Sequence, residues 1–82
     1  PVLVIKEMGD DCICLQLTSN LKQNRLIVSN NDLSNGSLKK DSLVVVPKNF
    51  TLHKSILIRY LATIKETKLI EIKKLFCQEI EC

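Results

Sequence analysis

The apolar residues of this chain change their spacing at Glu66, and this change limits the possible fold more than any other feature. Before Glu66, apolar and β-branched residues fall in short runs or alternate with polar residues, a pattern typical of β-strands. After Glu66, apolar residues recur at helical spacing and form one broad stripe that includes Leu69, Ile72 and Phe76. The sequence therefore predicts strands first and a single helix last.

Five segments carry the strand pattern, and turn-forming residues separate them. The predicted strands cover residues 2–6, 11–18, 26–28, 42–46 and 56–64. Gly9 and Asp10 predict a tight hairpin between the first two strands, and the residues at 29–41, rich in Asn, Asp, Ser and Gly, predict a loop. Pro47 predicts that the fourth strand ends or reaches a sheet edge, because proline donates no backbone hydrogen bond. Five short strands and a closing helix predict a small, strongly bent barrel.

Length and composition fit one small globular domain. The chain has 82 residues, of which 45% are hydrophobic and 26% are charged, so it can bury a modest core. The only aromatic residues are Phe50, Tyr60 and Phe76, so the core must be largely aliphatic. No apolar run approaches the roughly 20 residues that a membrane-spanning helix needs. We therefore expect no membrane association.

The four cysteines have a spacing that argues against both a disulfide framework and a zinc site. Cys12 and Cys14 share one face of a predicted strand, whereas Cys77 lies in the predicted helix and Cys82 is the last residue. These residues and the single histidine, His53, do not have the ligand spacing of a zinc site. We therefore expect reduced cysteines, as in a cytoplasmic protein, with no bound metal and no cofactor.

Positive charge collects in the middle of the chain, although the net charge is only +3. Residues 19–40 carry four basic side chains against Asp32 alone, and residues 41–64 carry three against Asp41. Such a region could meet a polyanion, but a solvated surface of no functional importance also produces this asymmetry. The sequence shows no cluster of aromatic residues of the kind that stacks unpaired bases. Charge alone therefore leaves nucleic-acid binding open.

Four short segments together resemble the MazF/PemK-type toxin family. They are Pro-Val-Leu-Val-Ile at 1–5, Leu-Thr-Ser at 17–19, Thr-Leu-His-Lys at 51–54 and Glu-Ile-Lys-Lys at 71–74. Each segment is short, and it is their order and spacing that carry the resemblance over nearly the whole chain. The resemblance implies that residues 1–82 form one SH3-like barrel of the CcdB/MazF type that lacks the family's first hairpin. It also implies that a functional arginine immediately precedes Pro1.

The resemblance implies a function as well. Members of this family are homodimeric, metal-independent, sequence-selective endoribonucleases of type II toxin–antitoxin systems, and an antitoxin protein keeps them silent. We therefore expect single-stranded mRNA and an antitoxin as partners. By position, Thr18 would be the catalytic hydroxyl that faces the scissile phosphate. The other residues expected to bind RNA are Ser19, Asn20, Lys22, Arg25, Thr51, His53 and Lys54.

The chain also departs from the family pattern at positions that matter. The catalytic arginine and aspartate that PemK-like members carry on a later strand correspond to Val45 and Pro47, neither of which can act as an acid or a base. The Arg and Asp that flank the family's Thr-Ile pair correspond to Phe50 and His53. His53 has a near-neutral reference pKa and could replace a general base, although a single histidine in a loop is more often a turn or cap residue.

Two alternatives to an active ribonuclease stay open at this point. One is a degenerate toxin-like barrel that binds RNA or an antitoxin peptide without cleaving RNA. The other is a protein-targeting toxin similar to CcdB, which shares the architecture but attacks a topoisomerase. Nothing in this chain resembles the C-terminal contacts of CcdB, so the second alternative has the weaker support.

Overall fold

Strands fill the first two thirds of the chain and one helix closes it, as a computed structural model describes for residues 1–21, 26–57 and 59–82. The strands are β1 (Val2–Met8), β2 (Asp11–Thr18), β3 (Ile27–Val28), β4 (Leu33–Gly36), β5 (Ser42–His53) and β6 (Ala62–Ile64). The helix α1 covers Glu66–Glu79, and short 3₁₀ helices cover Asn30–Asp32 and Lys54–Ile56. The predicted class, mainly β with a C-terminal helix, is confirmed.

The strands pair into two antiparallel sheets. The larger sheet has the order β1-β2-β5-β3, and the smaller sheet joins β4 to β6. The β1–β2 hairpin predicted from Gly9 and Asp10 is confirmed, with Gly9 at a φ of +62°. Within the described residues the two sheets do not close into a barrel, and β1 pairs on one side only.

Of the two outcomes predicted at Pro47, a strand end or a sheet edge, the strand end is wrong, because β5 continues through Pro47 to His53. Residues 45–48 bulge away from β2: Leu17 pairs with Val44 and Leu15 pairs with Asn49, so one residue of β2 faces four of β5. The ladder therefore does not need the backbone hydrogen bond that proline cannot donate. On the other side of β5, the short strand β3 pairs only with Ser42 and Leu43, so Pro47 has no β3 residue opposite it.

Two further predictions of local structure are corrected by the smaller sheet. The predicted loop over 29–41 contains strand β4, and the predicted strand over 56–64 shrinks to β6. The chain turns at His53, whose ring nitrogen accepts a hydrogen bond from the Ser55 backbone N–H at 3.1 Å and so caps a 3₁₀ helix. The interpretation of His53 as a cap residue is confirmed.

The core lies between the larger sheet and α1. Leu15 and Val44 from the sheet and Ile72 from the helix are almost completely buried. Five more apolar residues complete the buried cluster: Ile5, Leu17, Leu26, Val28 and Val46. The start of α1 is fixed by Asp32, whose backbone carbonyl accepts a hydrogen bond from the Lys65 N–H at 2.7 Å and whose carboxylate lies 3.9 Å from the Lys68 ammonium.

The prediction of four reduced cysteines is wrong for Cys77 and Cys82, which form a disulfide with Cα atoms 5.1 Å apart. The helix ends in a Schellman turn: the Cys82 N–H donates to the Cys77 carbonyl at 3.0 Å, and Glu81 adopts a φ of +60°. This turn folds Cys82 back over the last helical turn. Cys12 and Cys14 are free thiols and are buried.

Candidate nucleic-acid interface

The end of β2 presents the residues that the resemblance singled out first. Thr18 is half-buried and pairs with Leu43 of β5. Its hydroxyl oxygen accepts a hydrogen bond from the Asn20 backbone N–H at 3.1 Å, which turns the chain and leaves Ser19 and Asn20 exposed. That bond uses an oxygen lone pair, so the hydroxyl proton of Thr18 can still be donated to another acceptor.

A groove of about 650 Å³ opens beside this strand end. We call it the basic groove, and its lining residues are Pro1, Ser19, Ser37, Leu38, Lys39, Lys40, Ser42, Arg59, Tyr60 and Leu61. Three of these carry a positive charge, and no carboxylate is among the described lining residues. Lys39, Lys40 and Arg59 have no ion-pair partner within the part of the chain that the structure describes. The groove can therefore attract the phosphates of a polyanion.

Hydrogen bonds hold the two loops that supply these cations. The Leu38 backbone N–H donates to the side-chain oxygen of Asn30 at 2.7 Å, and the Ser42 hydroxyl donates to the Lys40 carbonyl at 3.4 Å. In the segment that carries Arg59, Tyr60 and Thr63 are joined through their hydroxyl groups. The pairing of Gly36 with Ala62 brings this segment close to the start of the loop that carries Lys39 and Lys40.

Thr51, His53 and Lys54 lie at the other end of the larger sheet. His53 pairs with Asp11 at the start of β2, whereas Thr18 marks its end. Seven residues of extended chain span roughly 23 Å, so these residues do not join Thr18 in one site within a single chain. The Lys54 ammonium lies 3.4 Å from the Glu7 carboxylate, and the Lys54 N–H donates to the Asp10 carbonyl at 2.7 Å.

The two remaining predicted RNA-binding residues, Lys22 and Arg25, lie outside the described residues. In contrast, Lys39, Lys40, Arg59 and Tyr60 line the basic groove and were not among the predicted site residues. The excess of positive charge over the middle of the sequence did signal the three cations. Tyr60 had no such signal, because the alternation around it predicted an ordinary strand.

The buried thiols do not form a reactive centre. Burial raises the pKa of Cys14, and the neighbouring Cys12 raises it further, so little thiolate is present at neutral pH. Among the described residues, no three His, Cys, Asp or Glu side chains come close enough together to hold a metal ion. No helix in the same residues is long and apolar enough to cross a bilayer.

Comparison with known proteins returned no match to a family model, to a curated protein or to a solved structure. The interpretation of this chain therefore depends on its residues and on the geometry of the basic groove.

Proposed function

We propose that this chain is a MazF/PemK-like toxin, a metal-independent endoribonuclease that cleaves single-stranded mRNA at selected sequences. One observation carries the proposal: the basic groove, with three cations and no described carboxylate among its lining residues, opens at the end of β2, where Ser19 lines it and Thr18 is the preceding residue. The resemblance points to Thr18 and Ser19, and the groove is located by geometry alone. The two arguments agree on Thr18 and Ser19, whereas Thr51, His53 and Lys54, which the same resemblance names, lie at the other end of the sheet.

The proposed reaction needs little more than positioned polar groups. The ribose 2′-oxygen attacks the adjacent phosphorus, a P–O2′ bond forms and the P–O5′ bond breaks, which leaves a cyclic phosphate and a 5′-hydroxyl. A base takes the proton from the 2′-hydroxyl, and the leaving 5′-oxygen gains one. Thr18 donates a hydrogen bond to the phosphate, and the groove cations stabilise its developing charge. DNA lacks the 2′-hydroxyl, so it is not a substrate.

The position of Pro1 fits the arginine that the resemblance implies. Pro1 lines the basic groove, and its carbonyl accepts a hydrogen bond from the Leu17 N–H at 3.1 Å. In the register of the β1–β2 hairpin, a residue attached before Pro1 would lie opposite Thr18, next to the groove that Pro1 lines. We propose that an arginine there completes the site, and that a preceding hairpin pairs with the open edge of β1 and closes an SH3-like barrel.

The partners and the location in this proposal depend on the resemblance alone. The partners are a second copy of the chain and an antitoxin protein, and the location is the cytoplasm. Disulfides are rare in reducing compartments, so the Cys77–Cys82 bond removes the support that cysteine usage gave to a cytoplasmic location.

A second candidate function is RNA binding without cleavage, and a separate observation favours it. Cleavage needs a proton acceptor, yet no imidazole or carboxylate is among the described residues that line the basic groove. The only histidine, His53, caps a 3₁₀ helix at the far end of the sheet. If no upstream residue supplies the base, the groove holds RNA and leaves it intact.

The first test is cleavage of a long single-stranded RNA in EDTA. We expect the chain extended by one arginine before Pro1 to give discrete fragments that end in a cyclic phosphate. Thr18→Val keeps the β-branched shape and removes the hydroxyl, so it should slow cleavage on the order of 10²-fold. Thr18→Ser keeps the hydroxyl and should restore most of the rate. Gel mapping of fragment ends and initial rates measure both effects.

Three outcomes separate the candidate functions. If the protein binds the RNA but leaves it intact, with and without the added arginine, the ribonuclease proposal is contradicted and RNA binding without cleavage is the function that stands. RNA that neither binds nor breaks would contradict both. Fragments that appear at equal rates with Thr18→Val would remove Thr18 from the catalytic role.

The charge of the groove can be tested through the salt dependence of RNA binding. Lys39→Gln with Lys40→Gln removes two phosphate contacts, so the slope of log K against log salt concentration should flatten by about 1.4, at about 0.7 per contact for a single strand. Lys73→Gln with Lys74→Gln on α1 is the matched control, because it removes the same charge from exposed lysines outside the groove. Equal flattening in both variants, measured by fluorescence anisotropy, would mean that the groove is not the binding surface.

A further inference from the structure

An apolar cleft of about 930 Å³ adjoins the basic groove. Its lining is mostly aliphatic and comes chiefly from β1, from the segment between β5 and β6, and from β6 itself. Besides Arg59, the charged residues Lys6 and Glu7 of β1 also line it. The two concavities share the residues at their junction, Pro1, Leu38, Arg59, Tyr60 and Leu61. A ligand with an anionic part and a flat apolar part could therefore occupy both at once.

Tyr60 lies at this junction with its ring accessible to a ligand. It is 67% exposed, and it lines both the groove and the cleft. The contact between its hydroxyl and that of Thr63 ties the outer end of the ring to β6. Its neighbour Arg59 belongs to the same junction, so a planar apolar surface and a cation lie side by side on one segment.

We propose that Tyr60 stacks against one unpaired nucleobase of a single-stranded RNA whose phosphates contact Arg59, Lys39 and Lys40. This inference depends on the RNA-binding part of the proposed function. An unpaired base is the occupant that the charges favour, because each nucleotide joins a phosphate to a flat aromatic ring. An apolar protein segment would leave the three cations of the groove without a negatively charged partner. Stacking is tolerant of base identity, so Tyr60 supplies affinity and position, and sequence selectivity comes from other contacts.

The composition of the chain makes this proposal directly measurable. Tyr60 is the only tyrosine and there is no tryptophan, so the intrinsic fluorescence of the protein reports on this ring alone. We expect a short single-stranded RNA to quench that fluorescence in a saturable way. An abasic strand of the same length, which keeps the phosphates, should compete for the groove without quenching. A duplex RNA should also leave the fluorescence unquenched, because its bases are already stacked.

Two variants complete the test through the anisotropy of a labelled RNA. Tyr60→Leu keeps an apolar side chain and removes the ring, so the affinity should fall roughly 5- to 150-fold. Tyr60→Phe keeps the ring and loses the hydroxyl, so it should bind nearly as well as the parent chain. The salt slope should be the same in both variants, since no phosphate contact is removed.

The outcomes distinguish this inference from the proposed function. RNA binding that depends on Lys39 and Lys40 but neither quenches Tyr60 nor weakens in Tyr60→Leu would overturn the stacking role and leave RNA binding intact. Equal quenching by the abasic strand would also overturn it. A chain that binds no RNA at all would overturn the proposed function and this inference together.

Discussion

Replacing Ile72 with alanine will lower the free energy of unfolding by about 2–5 kcal/mol, because its side chain is completely buried. Ile72 has no exposed surface and is the one buried residue of α1, so its truncation leaves a cavity between the helix and the sheet. A domain of this length has a total stability of roughly 4–12 kcal/mol. The variant should therefore unfold at a much lower urea concentration.

Ile70 provides the matched control for this prediction. It lies in the same helix and has the same side chain, but it is 48% exposed. Ile70→Ala should therefore change stability by no more than about 0.5 kcal/mol. The comparison is made by urea unfolding followed by circular dichroism, with the slope m required to stay constant. If the two variants lost similar stability, α1 would not pack on the sheet through Ile72.

Replacing Gly36 with alanine is expected to destabilise the protein by roughly 2–4 kcal/mol, through a backbone clash added to an unfavourable φ. Gly36 pairs with Ala62 in the smaller sheet and has a φ of +79°. A Cβ atom there would lie 2.7 Å from the Ala62 Cα, and it would be still closer to the Leu61 carbonyl oxygen. Neither is the end of a flexible side chain, so β4 and β6 would have to separate.

Gly9 isolates the contribution of the clash. It has a similar φ of +62°, but a Cβ atom there would meet nothing within 4 Å. Gly9→Ala should therefore lose only the conformational term, about 1–2 kcal/mol. Gly36→Ala should also weaken RNA binding, since Leu61 belongs to the basic groove, whereas Gly9→Ala should not. Equal losses of stability in the two variants, measured by thermal unfolding, would contradict the close approach of β4 to β6.

The parts of the fold that the sequence predicts well are those that local pattern determines. Helical spacing after Glu66 predicted α1, and a Gly-Asp turn between two apolar strands predicted the first hairpin. The corrections to the strands involve residues distant in sequence. Strand β4 forms in a stretch rich in loop-forming residues because β6 pairs with it, and β5 passes through Pro47 because residues 45–48 leave the ladder with β2.

The disulfide at the C-terminus has no local signal in the sequence, because the turn that brings its cysteines together has Glu81, and not glycine, at its left-handed position. A Schellman turn normally has glycine at the left-handed position, and here that position is Glu81. The sequence places Cys77 in the predicted helix and Cys82 at the last position, and no glycine marks the reversal of the chain that brings the two together. The candidate site has the same difficulty, since Ser19, Lys39 and Arg59 come from three separate segments and only the fold brings them together.

The antiparallel pairing of β2 with β5 gives the molecule two ends of different electrical character. Glu7, Asp10 and Asp11 gather where β2 begins, and the basic groove opens where it ends. Their separation of roughly 23 Å exceeds the Debye length of about 8 Å at physiological ionic strength, so a polyanion in the groove hardly senses the carboxylates there. In very dilute salt the Debye length grows to about 30 Å, so the carboxylates at the far end of β2 then act on a polyanion in the groove and oppose its binding.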